Sequence, residues 1–176
     1  MIAATVPNVA PPLDVDVLAD IVDGLARAET LWSPHVAHDP DDRVRRRLLA
    51  TPAYEVWLLG WTPGQSVGLH DHGDANGAFV VVDGELVESS LVDHRAVAET
   101  LAAGAIGRVP AGGVHDVGNR STRNATSIHA YSNPLTAMGF YRGDGSLERV
   151  EAVHEQAVLL DAHIDHALHP SGTIAR

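Results

Sequence analysis

Between Val15 and Ala28 apolar residues recur at helical spacing, with Val17, Leu18, Ile21, Val22 and Leu25 on one stripe and Asp16, Asp20 and Asp23 mostly elsewhere. Asp14 precedes the stripe as an N-cap, so the pattern predicts an amphipathic helix packed on the outside of the domain. From Tyr54 the texture changes to short runs of valine, leucine and aromatic residues. Glu55 to Trp61, Gly77 to Val82, Glu85 to Leu91, Gly107 to Pro110 and Ala125 to Ser132 read as strands. The breaks between them (Pro63-Gly64, Asp83-Gly84, Ala103-Gly104, Ala111-Gly112-Gly113, Asn133-Pro134, Gly143-Asp144-Gly145) suit hairpins of an antiparallel sandwich or barrel. The stretch from Glu151 to Leu168 reads as a further strand followed by a helix. Pro7, Pro11 and Pro12 give an irregular lead-in, and no repeat or long linker divides the 176 residues. One domain is expected, with a helical segment at about 14–30 and the β-rich part at about 43–160.

Composition narrows the chemistry more than the fold. No apolar run approaches the ~18 residues of a membrane span, and the start of the chain lacks the basic and apolar regions of a secretory signal, so a cytoplasmic, non-membrane protein is expected. The absence of cysteine excludes disulfides, thiolate metal sites and a cysteine nucleophile. All twelve basic residues are arginine, which removes Schiff-base chemistry. A net charge of -11 argues against a nucleic-acid partner. The eleven histidines are the conspicuous surplus.

Two of them, His70 and His72, stand two apart after Gly64-Gln65-Ser66-Val67-Gly68-Leu69 on what reads as a strand, and period-two geometry puts both on one face. Such a pair can meet one metal ion at ~2.0–2.1 Å. A third, His115, follows the turn Pro110-Ala111-Gly112-Gly113, whose glycines let the backbone deliver it to a fixed point. One histidine in isolation is usually an ordinary polar residue. Three inside two independent spacing patterns are read as a metal site.

The spacing resembles that of the cupins, whose pattern is G-x5-H-x-H-x3,4-E-x6-G followed by G-x5-P-x-G-x2-H-x3-N. It matches Gly64 to Gly84 and Gly104 to Asn119. The resemblance implies a mainly β fold, a cupin-type antiparallel β-barrel (double-stranded β-helix or jelly roll) carrying the N-terminal helical segment. Gly77 stands where many cupins have a glutamate ligand, which leaves a three-histidine shell of His70, His72 and His115. Such a shell is similar to that of the cysteine dioxygenase family, and Ser127-Ile128-His129-Ala130-Tyr131 resembles that family's S-x-H-x-Y segment. By alternation Ser127, His129 and Tyr131 share a face. The resemblance implies that Tyr131 lies beside substrate and oxygen, that His129 hydrogen-bonds to it and that Ser127 orients His129. It further implies Fe(II), a small thiol substrate and dioxygen as partners, and a sulfinic acid product, with L-cysteine the expected substrate. Gly77 also occupies the position of the cysteine that forms a thioether with the tyrosine in mammalian members, so no crosslink is expected here.

The family binds the substrate carboxylate with an arginine on the strand entering the barrel. Arg43, Arg45, Arg46 and Arg47 are the candidates, and the aromatic-x-arginine pattern before Leu48-Leu49 favours Arg47. The simpler reading of this run is a solvated charge cluster. The polar residues of Ser127-x-His129-x-Tyr131 would, on the corresponding simple reading, be the solvent face of a strand. His163, His166 and His169 read as one polar helix face, and Trp57, Trp61 and Phe79 as filling of the barrel rather than a cation cage. Alternative functions are oxidation of another thiol acid such as 3-mercaptopropionate, a non-catalytic metal- or ligand-binding cupin, and, ranked low, a glutamate-dependent cupin reaction. The oligomeric state stays open with a monomer favoured, as does the isomer of Asn133-Pro134.

Overall fold

The computed structural model describes residues 11–92 and 95–153. Asp14 caps α1 (Val15–Arg27) as expected, its side chain accepting from the Asp16 N–H. The buried stripe is Leu18, Ala19 and Val22, with Ile21 and Leu25 partly covered. Val17, expected on that stripe, is 45% exposed, so the helix is rolled slightly from its predicted orientation. No described helix is long and apolar enough to cross a membrane.

Beyond α1 the described chain holds ten strands: β1 (Val44–Ala50), β2 (Glu55–Trp61), β3 (Asn76–Asp83), β4 (Glu85–Val92), β5 (Arg95–Ala102), β6 (Ile106–Val109), β7 (His115–Gly118), β8 (Ala125–Ser132), β9 (Ala137–Tyr141) and β10 (Leu147–Ala152). Strands β2 and β8 run as predicted, and β3, β4 and β6 differ at their ends by a residue or two. Strand β1 carries the arginine run, as the family resemblance implied, whereas β5, β7 and β9 were not expected. Strand β10 starts before Glu151, and the predicted helix after it lies outside the described residues, as do His163, His166 and His169.

One sheet has the order β1-β2-β8-β3-β6, all antiparallel. Facing it are β5-β4-β7 and β10-β9, joined through single bridges of the intervening chain: Ser66 with Gly118, and His70 with both His115 and Phe140. The His70 segment is therefore not the regular strand expected but an isolated splice between two small sheets. Backbone bonds His70 N–H to His115 O (2.8 Å) and His115 N–H to His70 O (2.9 Å) hold it.

The five-stranded sheet has two different faces. Val56, Leu58, Ala78, Val80, Ile128 and Ala130 pack under α1. Trp57, Leu59, Trp61, Phe79, Val81 and Ala125 point the other way, towards Leu86 and Val117 of the opposite sheet. The chain turns between β8 and β9 with a cis peptide at Ser132–Asn133, one bond before Asn133–Pro134, which is trans.

Candidate metal centre and its cavity

His70 and His72 arrive on the splice, and His115 opens β7; all three are buried. The backbone pairing of His70 with His115 fixes two of the three before any side chain is considered. Their Nε2 atoms converge: 3.2 Å between His70 and His72, and 3.4 Å between His72 and His115. Nitrogens bound to one ion at ~2.0–2.1 Å are separated by about 2.9 Å along an octahedral edge and about 3.3 Å along a tetrahedral one, so the spacing suits a shared cation.

The opposite ring nitrogens say which tautomer is present. His70 Nδ1 lies 2.8 Å from the Gly68 carbonyl and His115 Nδ1 2.8 Å from Glu88 Oε1, so each carries a proton there, and Nε2 is the nitrogen that either ring can offer to a metal ion. Lone pairs brought together in a buried corner repel unless a cation lies between them. Burial, followed by the proximity of His115, holds His70 down at about 3 and His72 well below the ordinary imidazole range, so both are neutral at pH 7. His70, His72 and His115 are the group suited to a metal ion among the described residues.

Gly77 shows why no glutamate or crosslinking residue completes the shell. A Cβ there would stand 3.1 Å from His72 Nδ1 and 3.3 Å from Tyr131 Cδ1, so the glycine lets the tyrosine ring close edge-on over His72, with centroids 4.8 Å apart.

Ser127, His129 and Tyr131 share the inward face of β8 and form a continuous chain: Ser127 Oγ to His129 Nε2 at 2.8 Å, and His129 Nδ1 to the Tyr131 hydroxyl at 3.2 Å. Sequence reasoning missed what lies behind it. Trp61 Nε1–H donates to Ser127 Oγ at 2.8 Å. An indole can only donate, so it takes an oxygen lone pair and leaves the serine proton for His129 Nε2. The neutral imidazole then donates from Nδ1 to Tyr131, whose own proton is left to point into the cavity. The signal for Trp61 was its place on the Trp57–Leu59–Trp61 face, since a buried indole N–H needs an acceptor. Burial keeps His129 well below the usual imidazole range and pushes the Tyr131 hydroxyl above its ordinary value of 10.0, so the chain holds neutral groups. Phe79 stacks on His129 at 4.9 Å and 11° and fixes the ring plane.

A cavity of about 310 Å³ opens beside these groups, at the lower end of the ~300–1,000 Å³ typical of small-molecule sites. His70, His115, His129 and Tyr131 line it together with Arg43, Arg45, Trp57, Leu135, Met138 and Phe140. Arg47, expected to face the site, does not line it. It stands opposite Trp57, nearer the Glu55 end of β2 than Arg45, which is opposite Leu59, and lies 3.6 Å from Glu55 and over the Trp57 ring at 5.6 Å. The Arg43 guanidinium stands 4.9 Å over Trp61, its Nε buried without a hydrogen-bond partner. Trp61 and Trp57 thus fill the interior as expected but also carry cations, which was not expected.

The family model described as cysteine dioxygenase type I matches residues 10–143. Solved structures share the fold. A Thermus thermophilus protein is 20% identical with a TM-score of 0.53, over 58% of this chain and 93% of that one. A Klebsiella pneumoniae protein with a double-stranded β-helix domain is 19% identical with a TM-score of 0.52, over 68% and 93%. A cupin superfamily protein from Desulfitobacterium hafniense is 13% identical with a TM-score of 0.50, over 58% and 87%. At these identities the likeness establishes the cupin fold alone. No match was found among curated proteins.

Proposed function

Because the chain belongs to the cysteine dioxygenase type I family, we propose that it is a thiol dioxygenase that oxidises L-cysteine to cysteine sulfinic acid at Fe(II) held by His70, His72 and His115. The observation that carries this reading is the convergence of the Nε2 atoms of His70, His72 and His115 beside a cavity that His70, His115 and Tyr131 line. Both atoms of dioxygen go to the sulfur, so the thiol itself supplies the electrons and no external reductant is needed. When bound, Fe(II) supplies positions for thiolate and dioxygen and lowers the thiol pKa.

The remaining work falls to the chain's own side chains. Arg43 and Arg45 bind the substrate carboxylate, a role that moves from Arg47 because those two line the cavity. Arg43 is the deeper of them, and an anion there satisfies a buried cation. Tyr131 donates its free proton to the substrate or to oxygen, and the order Trp61, Ser127, His129 keeps that proton aimed inward. Neutral His129 transmits direction rather than charge. Leu135, Met138 and Phe140 give the cavity an apolar wall that keeps water from the thiolate.

An oxygen electrode with a small thiol panel, and iron measured on the same sample, tests the reading. Oxygen uptake should scale with iron content and be fastest with L-cysteine. A preference for 3-mercaptopropionate would change the substrate. Iron-loaded protein that takes up no oxygen with any thiol would overturn the reaction and leave a binding module.

A further inference from the structure

The three imidazoles are backed unequally. His70 Nδ1 meets a backbone carbonyl, and His72 Nδ1 is buried without a hydrogen-bond partner. His115 Nδ1 alone meets a carboxylate, Glu88 Oε1 at 2.8 Å. Glu88 sits in the middle of β4, between β5 and β7, where Ser90 is opposite His115 and Glu88 is opposite Val117. Directly paired residues share a face, so Glu88 points inward beside Leu86 and Val117, with its side chain only 14% exposed.

We propose that Glu88 is a positioning residue of the metal centre, supplying from behind His115 the negative charge that Gly77 withholds from the metal itself. The proposal rests on the metal reading of the three histidines and not on thiol chemistry. A carboxylate on an inward face is costly unless a positive partner offsets it, and a neutral imidazole offsets it only in part. A cation on the far side of the ring completes the balance. The hydrogen bond also fixes the His115 tautomer and ring plane and makes Nε2 a stronger donor. Asp71, though it lies between two of the histidines in sequence, is turned away: its carboxylate takes the Tyr141 hydroxyl and the N–H groups of Gly73 and Gly139.

The test is an anaerobic titration of the metal-free full-length protein with Co(II), followed by its visible absorption. Glu88→Gln keeps the size and an acceptor oxygen but loses the charge. It should bind Co(II) about 10- to 100-fold more weakly with an altered spectrum, while circular dichroism shows the same fold. Affinity within twofold of the unaltered protein and an unchanged spectrum would overturn the proposal. Should the variant not fold, proton NMR of the unaltered Zn(II)-loaded protein decides. The His115 Nδ1–H should resonate downfield of the His70 Nδ1–H, and the reverse order overturns the proposal. Weakened Co(II) binding in Glu88→Gln, beside an unaltered protein that oxidises no thiol, would retain the role of Glu88 and reject the proposed reaction. Unweakened binding beside rapid thiol oxidation would do the opposite.

Discussion

Strands β2, β3 and β8 present Val56, Leu58, Val80, Ile128 and Ala130 to α1, and Trp57, Trp61, Phe79, Ser127, His129 and Tyr131 to the space between the sheets. The same backbone therefore carries a mainly apolar layer under the helix and, on the other side, a mixed layer in which buried polar groups sit among apolar ones. Under α1 each side chain contributes by losing contact with water, and any residue of similar size and shape would serve. On the inner face buried hydroxyl, imidazole and phenol groups are kept because each meets a partner, and changing one disturbs the rest. The helix side stabilises the sheet that the inner side needs as a rigid platform.

Substitutions on the two faces should separate stability from chemistry. The largest loss is expected from His70→Ala or His115→Ala, which should abolish iron binding and oxygen uptake together; retained uptake in an iron-free His115→Ala protein would refute the site. Ile128→Ala, on the helix side, should cost about 2–5 kcal/mol in denaturant unfolding, while the surviving folded protein binds metal normally. Tyr131→Phe should keep iron and slow turnover by about 10²-fold, as measured by kcat for oxygen consumption, at a cost of about 1–3 kcal/mol for the His129 N–H left without its acceptor. Arg43→Ala should raise the apparent KM for the thiol acid by about tenfold at unchanged iron content, whereas Arg47→Ala should weaken the fold more than substrate binding.

The smallest expected effect is on pH. His129 is held neutral by burial, so its protonated form favours the unfolded chain. Stability of the metal-free protein should be fully present above the ordinary imidazole value of 6.5 and fall as pH drops below it. His129→Asn should reduce that slope, as read from Tm between about pH 8 and about pH 5.

The three-histidine group that could hold a metal was legible in the sequence because glycine and proline spacing encodes local backbone turns, and the turns deliver the histidines. The chain Ser127-His129-Tyr131 was legible for a similar reason, since alternation on one strand needs no tertiary information. What stayed hidden depends on register between strands. The alternation of the arginines was readable, but which of them meets the cavity depends on position along β2: Arg43 and Arg45 line it, while Arg47 stands nearer Glu55. Glu88 carries no signal in the sequence, because its partner His115 is 27 residues away and on another strand. Strand β9 was hidden by Gly139, which gives no propensity signal, and β7 by its sequence His115-Asp116-Val117-Gly118, in which Val117 alone favours a strand.

The most direct test is product analysis after the iron-loaded protein turns over L-cysteine under ¹⁸O₂ in unlabelled water. Cysteine sulfinic acid bearing two labelled oxygen atoms, formed in proportion to oxygen consumed and absent with His115→Ala, is the predicted result. Cystine as the product, or sulfinic acid whose oxygen comes from water, would contradict a three-histidine thiol dioxygenase.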